Sequence, residues 1–194
     1  MRLSVCILIV MSFFVYAQDA LMHLRNSDIL NRAQQHYGDE GYTRIKNWLS
    51  FIDSSQGKSE WQQIHLVNDF FNKHIQYQTD DDLWQKKDYW ATPLESLGVG
   101  MGDCEDYVLL KRYHLIKAGI HPSNLLVTVV KQRNGDGHAV LTVRTDRGDF
   151  ILDNLEGAVN DWRDTPYTYL KRQSSDHAGR WVTIEDGRKR LAQN

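Results

Sequence analysis

The chain has 194 residues and a mass of 22.6 kDa, enough for one sizeable core and too little for two large ones. Apolar residues make up 41% and charged residues 25%, with only three prolines, which excludes a low-complexity or charge-extended disordered chain. Its 23 basic and 25 acidic side chains leave a formal charge of -2. No basic surplus is present to neutralise phosphates, so nucleic acid is excluded as the main partner.

Arg2 is followed by an uncharged apolar run from Leu3 to Tyr16, shorter than the ~20 residues a spanning helix needs. Val15-Tyr16-Ala17 places small residues at the positions that precede a signal-peptidase cut. Residues 1–17 are therefore expected to be a cleaved signal peptide and 18–194 a single exported domain, with an uncleaved anchor as the alternative. Cys6 leaves with the signal, so the mature chain keeps Cys104 as its one cysteine and forms no internal disulfide. A lone thiol in an oxidising compartment calls for a reason, either burial or reactivity.

Helical patterns come next. Ser27 can cap a helix to about His36, and a second apolar-periodic stretch runs from Tyr42 to Ile52. Ser59 with Gln62 three residues on has the form of a capping box, and Trp61, Ile64, Val67, Phe71 and Ile75 recur behind it as one buried stripe. Asp80-Asp81-Asp82 reads as a solvated loop, with a metal site as the rarer meaning of such a run, and is left unassigned.

Gly98-Val99-Gly100-Met101-Gly102 imitates a phosphate loop, yet no strand precedes it and the Lys-Ser/Thr ending of the P-loop is absent. A nucleotide site is therefore excluded. A helix follows at once, with Asp103 as its expected N-cap, Asp106 at N3 of a variant capping box, a buried face of Val108, Leu109, Tyr113 and Ile116, and Gly119 at C′. Beyond Pro122 the pattern turns to strands, Leu125 to Val130, His138 to Thr145, Asp149 to Asp153, Tyr167 to Lys171 and Trp181 to Ile184. Helices followed by an antiparallel meander make the fold class α+β.

Cys104 opens its helix, where partial positive charge and unpaired N–H groups favour a thiolate and can hold an oxyanion. A cysteine nucleophile also needs an imidazole to take its proton and a third group to fix the imidazole. His138 opens one strand and Asp153 closes its antiparallel neighbour. Cross-strand partners share a face, so a two-residue turn at Asp146-Arg147 or Arg147-Gly148 puts both side chains on one side, whereas a three-residue loop separates them. A two-residue turn is expected, or a bulge that resets the parity. Bland meanings exist for each residue alone: a buried thiol, a surface histidine, an Asx-turn at Asp153-Asn154. Asp103, Glu105 and Asp106 crowd the thiol with carboxylates that raise its pKa. They are either simple caps or ligands of a divalent cation, for which oxygen donors favour calcium.

Trp90-Ala91-Thr92-Pro93-Leu94-Glu95, Gly102-Asp103-Cys104-Glu105-Asp106-Tyr107, Gly137-His138-Ala139-Val140-Leu141 and Leu152-Asp153-Asn154 together carry a family resemblance. The chain resembles the bacterial transglutaminase-like cysteine proteinases, and among them the periplasmic LapG-type proteases that release large biofilm adhesins by cutting near the adhesin's N-terminus. The resemblance implies a papain/transglutaminase-like core, with the nucleophile at a helix N-terminus packed on an antiparallel β-sheet. It implies Cys104, His138 and Asp153 as the catalytic triad. It also implies Ca2+ dependence through Asp103 and Glu105, which Asp106 joins only by helical proximity. Cleavage at a pair of alanines, a surface adhesin as substrate and an inner-membrane cyclic di-GMP receptor that sequesters the protease follow from the same resemblance. Trp84 and Trp90 are candidates for a second oxyanion donor. A transglutaminase-type acyl transfer and a non-enzymatic calcium-binding module are the alternative functions.

Overall fold

The computed structural model describes residues 3–177 and 179–184, with side chains from residue 26 onward. The first helix, α1 (Leu3–Ser55), is broken at Gly38, whose φ of 65° and ψ of -164° leave the helical region. Such a φ is cheap only without a Cβ, and the break separates the two helices expected at 27–36 and 42–52. The expected signal segment 1–17, with Cys6 in it, lies where no side chain is described. No helix among the described residues is long and apolar enough to cross a membrane.

Helix α2 (Glu60–His74) starts at the expected capping box: the Gln62 N–H donates to Ser59 Oγ at 3.3 Å and the Ser59 N–H to Gln62 Oε1 at 3.1 Å. Its stripe of Ile64, Val67 and Phe71 is fully buried, while Trp61 sits at the edge, edge-on to Phe150. After α2 the chain runs through β1 (Gln76–Tyr77), a short helix α3 (Asp80–Trp84) and α4 (Pro93–Val99). A second capping box, Thr92 with Glu95, and Pro93 in the first turn start α4, and Gly100 ends it with a φ of 75°. Strand β2 (Met101–Gly102) then pairs in parallel with β1. That pairing, and the Tyr107 hydroxyl donating to the Ile75 carbonyl, fix the entry to α5 (Cys104–Lys117) against the end of α2.

Helix α5 departs from its expected face. It buries Asp106, Tyr107, Val108, Leu110, Lys111, His114 and Leu115, whereas Leu109, Tyr113 and Ile116 are only half-buried. The reason is that α2, α4 and β4 all pack on it, so most of its circumference is interior and its polar residues pair there. Lys111 Nζ donates to Asn68 Oδ1 at 2.8 Å, and His114 Nε2 lies 3.2 Å from Ser55 Oγ. Gly119, at φ 101°, follows the C-cap Ala118 as expected.

The sheet comprises β3 (Leu125–Lys131), β4 (Gly137–Thr145), β5 (Gly148–Leu152), β6 (Asn160–Asp161), β7 (Thr168–Gln173) and β8 (Trp181–Thr183) in the spatial order β6-β5-β4-β3-β7-β8. Every neighbouring pair is antiparallel. The expected meander holds only as far as β6. The chain then crosses back to place β7 beside β3, where Tyr169 joins Val130, Val140, Ile151, Trp162 and Tyr167 in a core on the sheet's second face. The first face, with Val127, Ala139, Leu141, Val143 and Leu152, packs on the helices.

Candidate active site

The β4–β5 hairpin sets the first part of the site. Thr145 pairs with Gly148 and Leu141 with Leu152, so the turn is Asp146-Arg147, one of the two two-residue turns expected, and His138 and Asp153 share a face. Their side chains meet: His138 Nε2 lies 2.8 Å from Asp153 Oδ1, with both residues buried. The aspartate is held on all sides. The Leu155 N–H donates to Oδ1 at 3.1 Å, the Tyr167 hydroxyl donates to Oδ2, and Asn72 Nδ2 donates to the Asp153 carbonyl at 2.7 Å. Burial works to raise the Asp153 pKa, but the hydrogen bond and charge of His138, then the bonds from Tyr167 and Leu155, outweigh it and hold the carboxyl below its usual value.

Cys104 occupies the first position of α5 and is half-buried. The backbone N–H of Ala139, next in chain to His138, faces its sulfur, so β4 presents the imidazole's own neighbour to the thiol. The thiol itself donates to Glu105 Oε2 at 3.1 Å. Burial, then the charge and hydrogen bond of Glu105, hold its pKa well above the ordinary thiol range, against the pull of the Ala139 N–H.

A carboxylate cluster lies beside the thiol. Asp103 stands at the N-cap position of α5 but caps nothing with its side chain, contrary to the expected cap. Its Oδ1, Asp106 Oδ2 and Asp80 Oδ1 are all buried without a hydrogen-bond partner among the described residues. One ligand oxygen from each of Asp80, Asp103 and Asp106 can lie within 4.8 Å of the others. Glu105 belongs to two overlapping groups, one with Asp103 and Cys104 and one with Asp80 and Asp88. Burial, then the hydrogen bond and charge of Glu105, push Asp103 up to about 8, and burial pushes Asp106 up to about 7. Gly102 makes room for this arrangement, since a Cβ there would stand 2.6 Å from Asp106 Oδ2.

Of the expected ligands, the structure gathers Asp103, Glu105 and Asp106 at one helix start. Asp80, set aside within its charge run, is the residue missed. It opens α3 with Oδ2 accepting from the Tyr89 N–H and only 3% of its surface exposed. Two buried carboxylates and a half-buried one, with three oxygens that find no hydrogen-bond partner among the described residues, fit a hard, oxygen-loving cation. Of the two oxyanion candidates, Trp90 Nε1 donates to Asp88 Oδ1 at 3.0 Å, whereas Trp84 Nε1 is buried without a partner among the described residues. A cleft of about 770 Å3 adjoins the Asp153 side, lined by Arg133, Leu155, Glu156, Arg163 and Tyr167 among others.

Residues 45–189 match the family model of the bacterial transglutaminase-like cysteine proteinases. Calcium-bound LapG of Legionella pneumophila is similar in structure, at 27% identity and a TM-score of 0.70, over 84% of this chain and 90% of that one. LapG of the same organism also matches at 30% identity and a TM-score of 0.65, over 76% and 82% of the two chains. Its EGTA-treated form matches at 29% and 0.66, over 77% and 82%. No curated protein sequence matches the chain.

Proposed function

The chain belongs to the bacterial transglutaminase-like cysteine proteinases and is a cysteine protease with their α+β fold, and from that premise we propose that it is a calcium-dependent endopeptidase of the periplasm. Its substrate in this reading is the N-terminal region of a large surface adhesin, whose release it controls. An inner-membrane cyclic di-GMP receptor is the partner that withholds it. The likeness to LapG and the leader-like residues 1–17 support the location and the partners.

Cys104, His138 and Asp153 are the residues that carry the chemistry. Asp153 accepts from the imidazole at Nε2, which leaves Nδ1 as the nitrogen that receives the thiol proton once the thiol turns from Glu105. The thiolate adds to the peptide carbonyl, and the Cys104 backbone N–H at the start of α5 faces the developing oxyanion. His138 returns the proton to the leaving amine, and water then cleaves the thioester with the same imidazole as base. Asp80, Asp103 and Asp106 would hold the calcium ion, with Glu105 beside them. The ion would supply positive charge that offsets the carboxylates around the nucleophile.

The single observation that carries the calcium reading is the set of three buried carboxylate oxygens without partners among the described residues, one each on Asp80, Asp103 and Asp106. The test is incubation of the purified chain with N-terminal fragments of candidate adhesins, with calcium or with a calcium-selective chelator. Cleavage in calcium, its loss in chelator and its return on adding calcium back are expected. Equal cleavage in both would overturn the calcium reading.

A further inference from the structure

Tyr167 has no part in the chemistry above, yet among the described residues its hydroxyl is the one that donates to Asp153 Oδ2. The carboxylate is 2% exposed and the tyrosine 5%, so water does not replace the phenol. The other oxygen, Oδ1, carries both the His138 bond and the Leu155 N–H. Rotation of the carboxylate about its last bond would exchange the two oxygens. The Tyr167 hydroxyl at Oδ2 and the Leu155 N–H at Oδ1 oppose that rotation from opposite ends. The phenol ring also lies beside the imidazole, with centroids 5.6 Å apart and planes inclined at 55°.

The chain holds Tyr167 firmly. It follows the turn at Trp162–Asp164 and Pro166, and precedes β7. Thr165 Oγ1 anchors that turn through the Trp162 carbonyl at 2.9 Å and the Tyr169 hydroxyl at 2.8 Å. The return of β7 to the centre of the sheet thus delivers one phenol to the aspartate, which explains why neighbouring residues in sequence give no hint of it. Tyr167 also lines the cleft beside the site, so one residue touches both the aspartate and the open groove.

We propose that Tyr167 is a positioning residue of the catalytic apparatus, its hydroxyl locking the Asp153 carboxylate in the rotamer that orients His138. The proposal rests on the assignment of Cys104, His138 and Asp153 as the triad. A misoriented imidazole takes the thiol proton less often, and the loss falls on turnover and thiol reactivity, with substrate binding unaffected.

The test measures the rate of Cys104 alkylation by iodoacetamide, located by mass spectrometry, in the calcium-loaded full chain. The variants are Tyr167→Phe, which removes only the hydroxyl, Asp153→Asn, and the two combined, with circular dichroism to verify the fold. Tyr167→Phe is expected to slow alkylation about tenfold, roughly what one orienting hydrogen bond contributes, and to add less than twofold in the Asp153→Asn background, because the two act as one unit. On an alanine-pair peptide the same variant is expected to lower kcat and leave KM within twofold. An unchanged rate in Tyr167→Phe, or an equal loss with and without Asp153, overturns the proposal while the triad stands. An unchanged rate in Asp153→Asn overturns the triad and the proposal with it. Should Asp153→Asn fail to fold, the same cycle run with His138→Ala decides in its place.

Discussion

Replacing Asp80 with Asn is the sharpest perturbation of the carboxylate cluster, since it removes one charge, keeps the side-chain volume and keeps an oxygen to accept the Tyr89 N–H. A unit charge at the 4.8 Å that bounds the cluster interacts with another by about 3 kcal/mol at an effective dielectric of ~20. Around a divalent cation, which carries two charges and sits closer than that limit, loss of one such charge corresponds to a loss of affinity of about 100-fold or more, by the usual relation of free energy to binding constant. Calcium at about 100 times the wild-type Kd stabilises the folded chain by about 2.7 kcal/mol, which raises Tm by about 5–11 °C for a domain of this size. After a 100-fold loss the same calcium concentration contributes about 0.4 kcal/mol, or about 1–2 °C. Without calcium the variant should melt no lower than wild type, because a like charge has left the cluster. Asp81→Asn is the control, for Asp81 is exposed beside it and should keep the full shift. Thermal melts with and without calcium read all of this. A full calcium shift in Asp80→Asn, or an equal loss in Asp81→Asn, would refute Asp80 as a ligand.

Further outcomes are expected. His138→Ala should slow iodoacetamide labelling of Cys104, whereas equal labelling would deny their pairing. Magnesium should restore a chelated enzyme poorly, because it demands octahedral geometry and sheds water reluctantly, and Asp103→Ala should mimic the chelator; full activity of that variant in chelator would leave Asp103 a mere helix start. Burial pulls Lys111 from 10.5 to about 7, so its cost to folding is greatest below pH 7 and fades as the pH rises towards 10.5, where the unfolded chain also loses the proton. Wild type should therefore gain Tm relative to Lys111→Met between pH 7 and 10, and a constant difference would contradict it. Ser59→Ala should cost about 1 kcal/mol through the lost α2 cap, read as a lower urea midpoint with unchanged m.

What the sequence discloses here follows how local the physics is. The capping box at Ser59 and Gln62, the C′ glycine at Gly119 and the turn at Asp146-Arg147 are each local to a few residues, and that two-residue turn, one of the registers parity allows, puts His138 and Asp153 on one face. Thr92-Pro93-Leu94-Glu95 bears an equally local helix start, one read in the sequence only for its family likeness. The residues that stayed hidden depend on long-range contacts. Asp80 joins Asp103 and Asp106 only because β1 pairs with β2, and inside a run of three aspartates it looks like solvated charge. Lys111 lies on what an apolar count makes a polar face, and its hydrogen-bond partner Asn68 stands on another helix. The meander failed for the same reason, since the strand pattern of Thr168–Gln173 cannot say which sheet neighbour it will join.

The central claim is that Cys104 cuts a peptide bond by hydrolysis, and it is tested most directly by mass spectrometry of the products formed from an adhesin fragment in calcium. Wild type is expected to yield two fragments whose masses add to the substrate plus one water, with Cys104→Ser, a small change in volume that removes the easily ionised group, yielding none. Fragments from Cys104→Ser at the wild-type rate, or a product joined to an added amine in place of water, would contradict it.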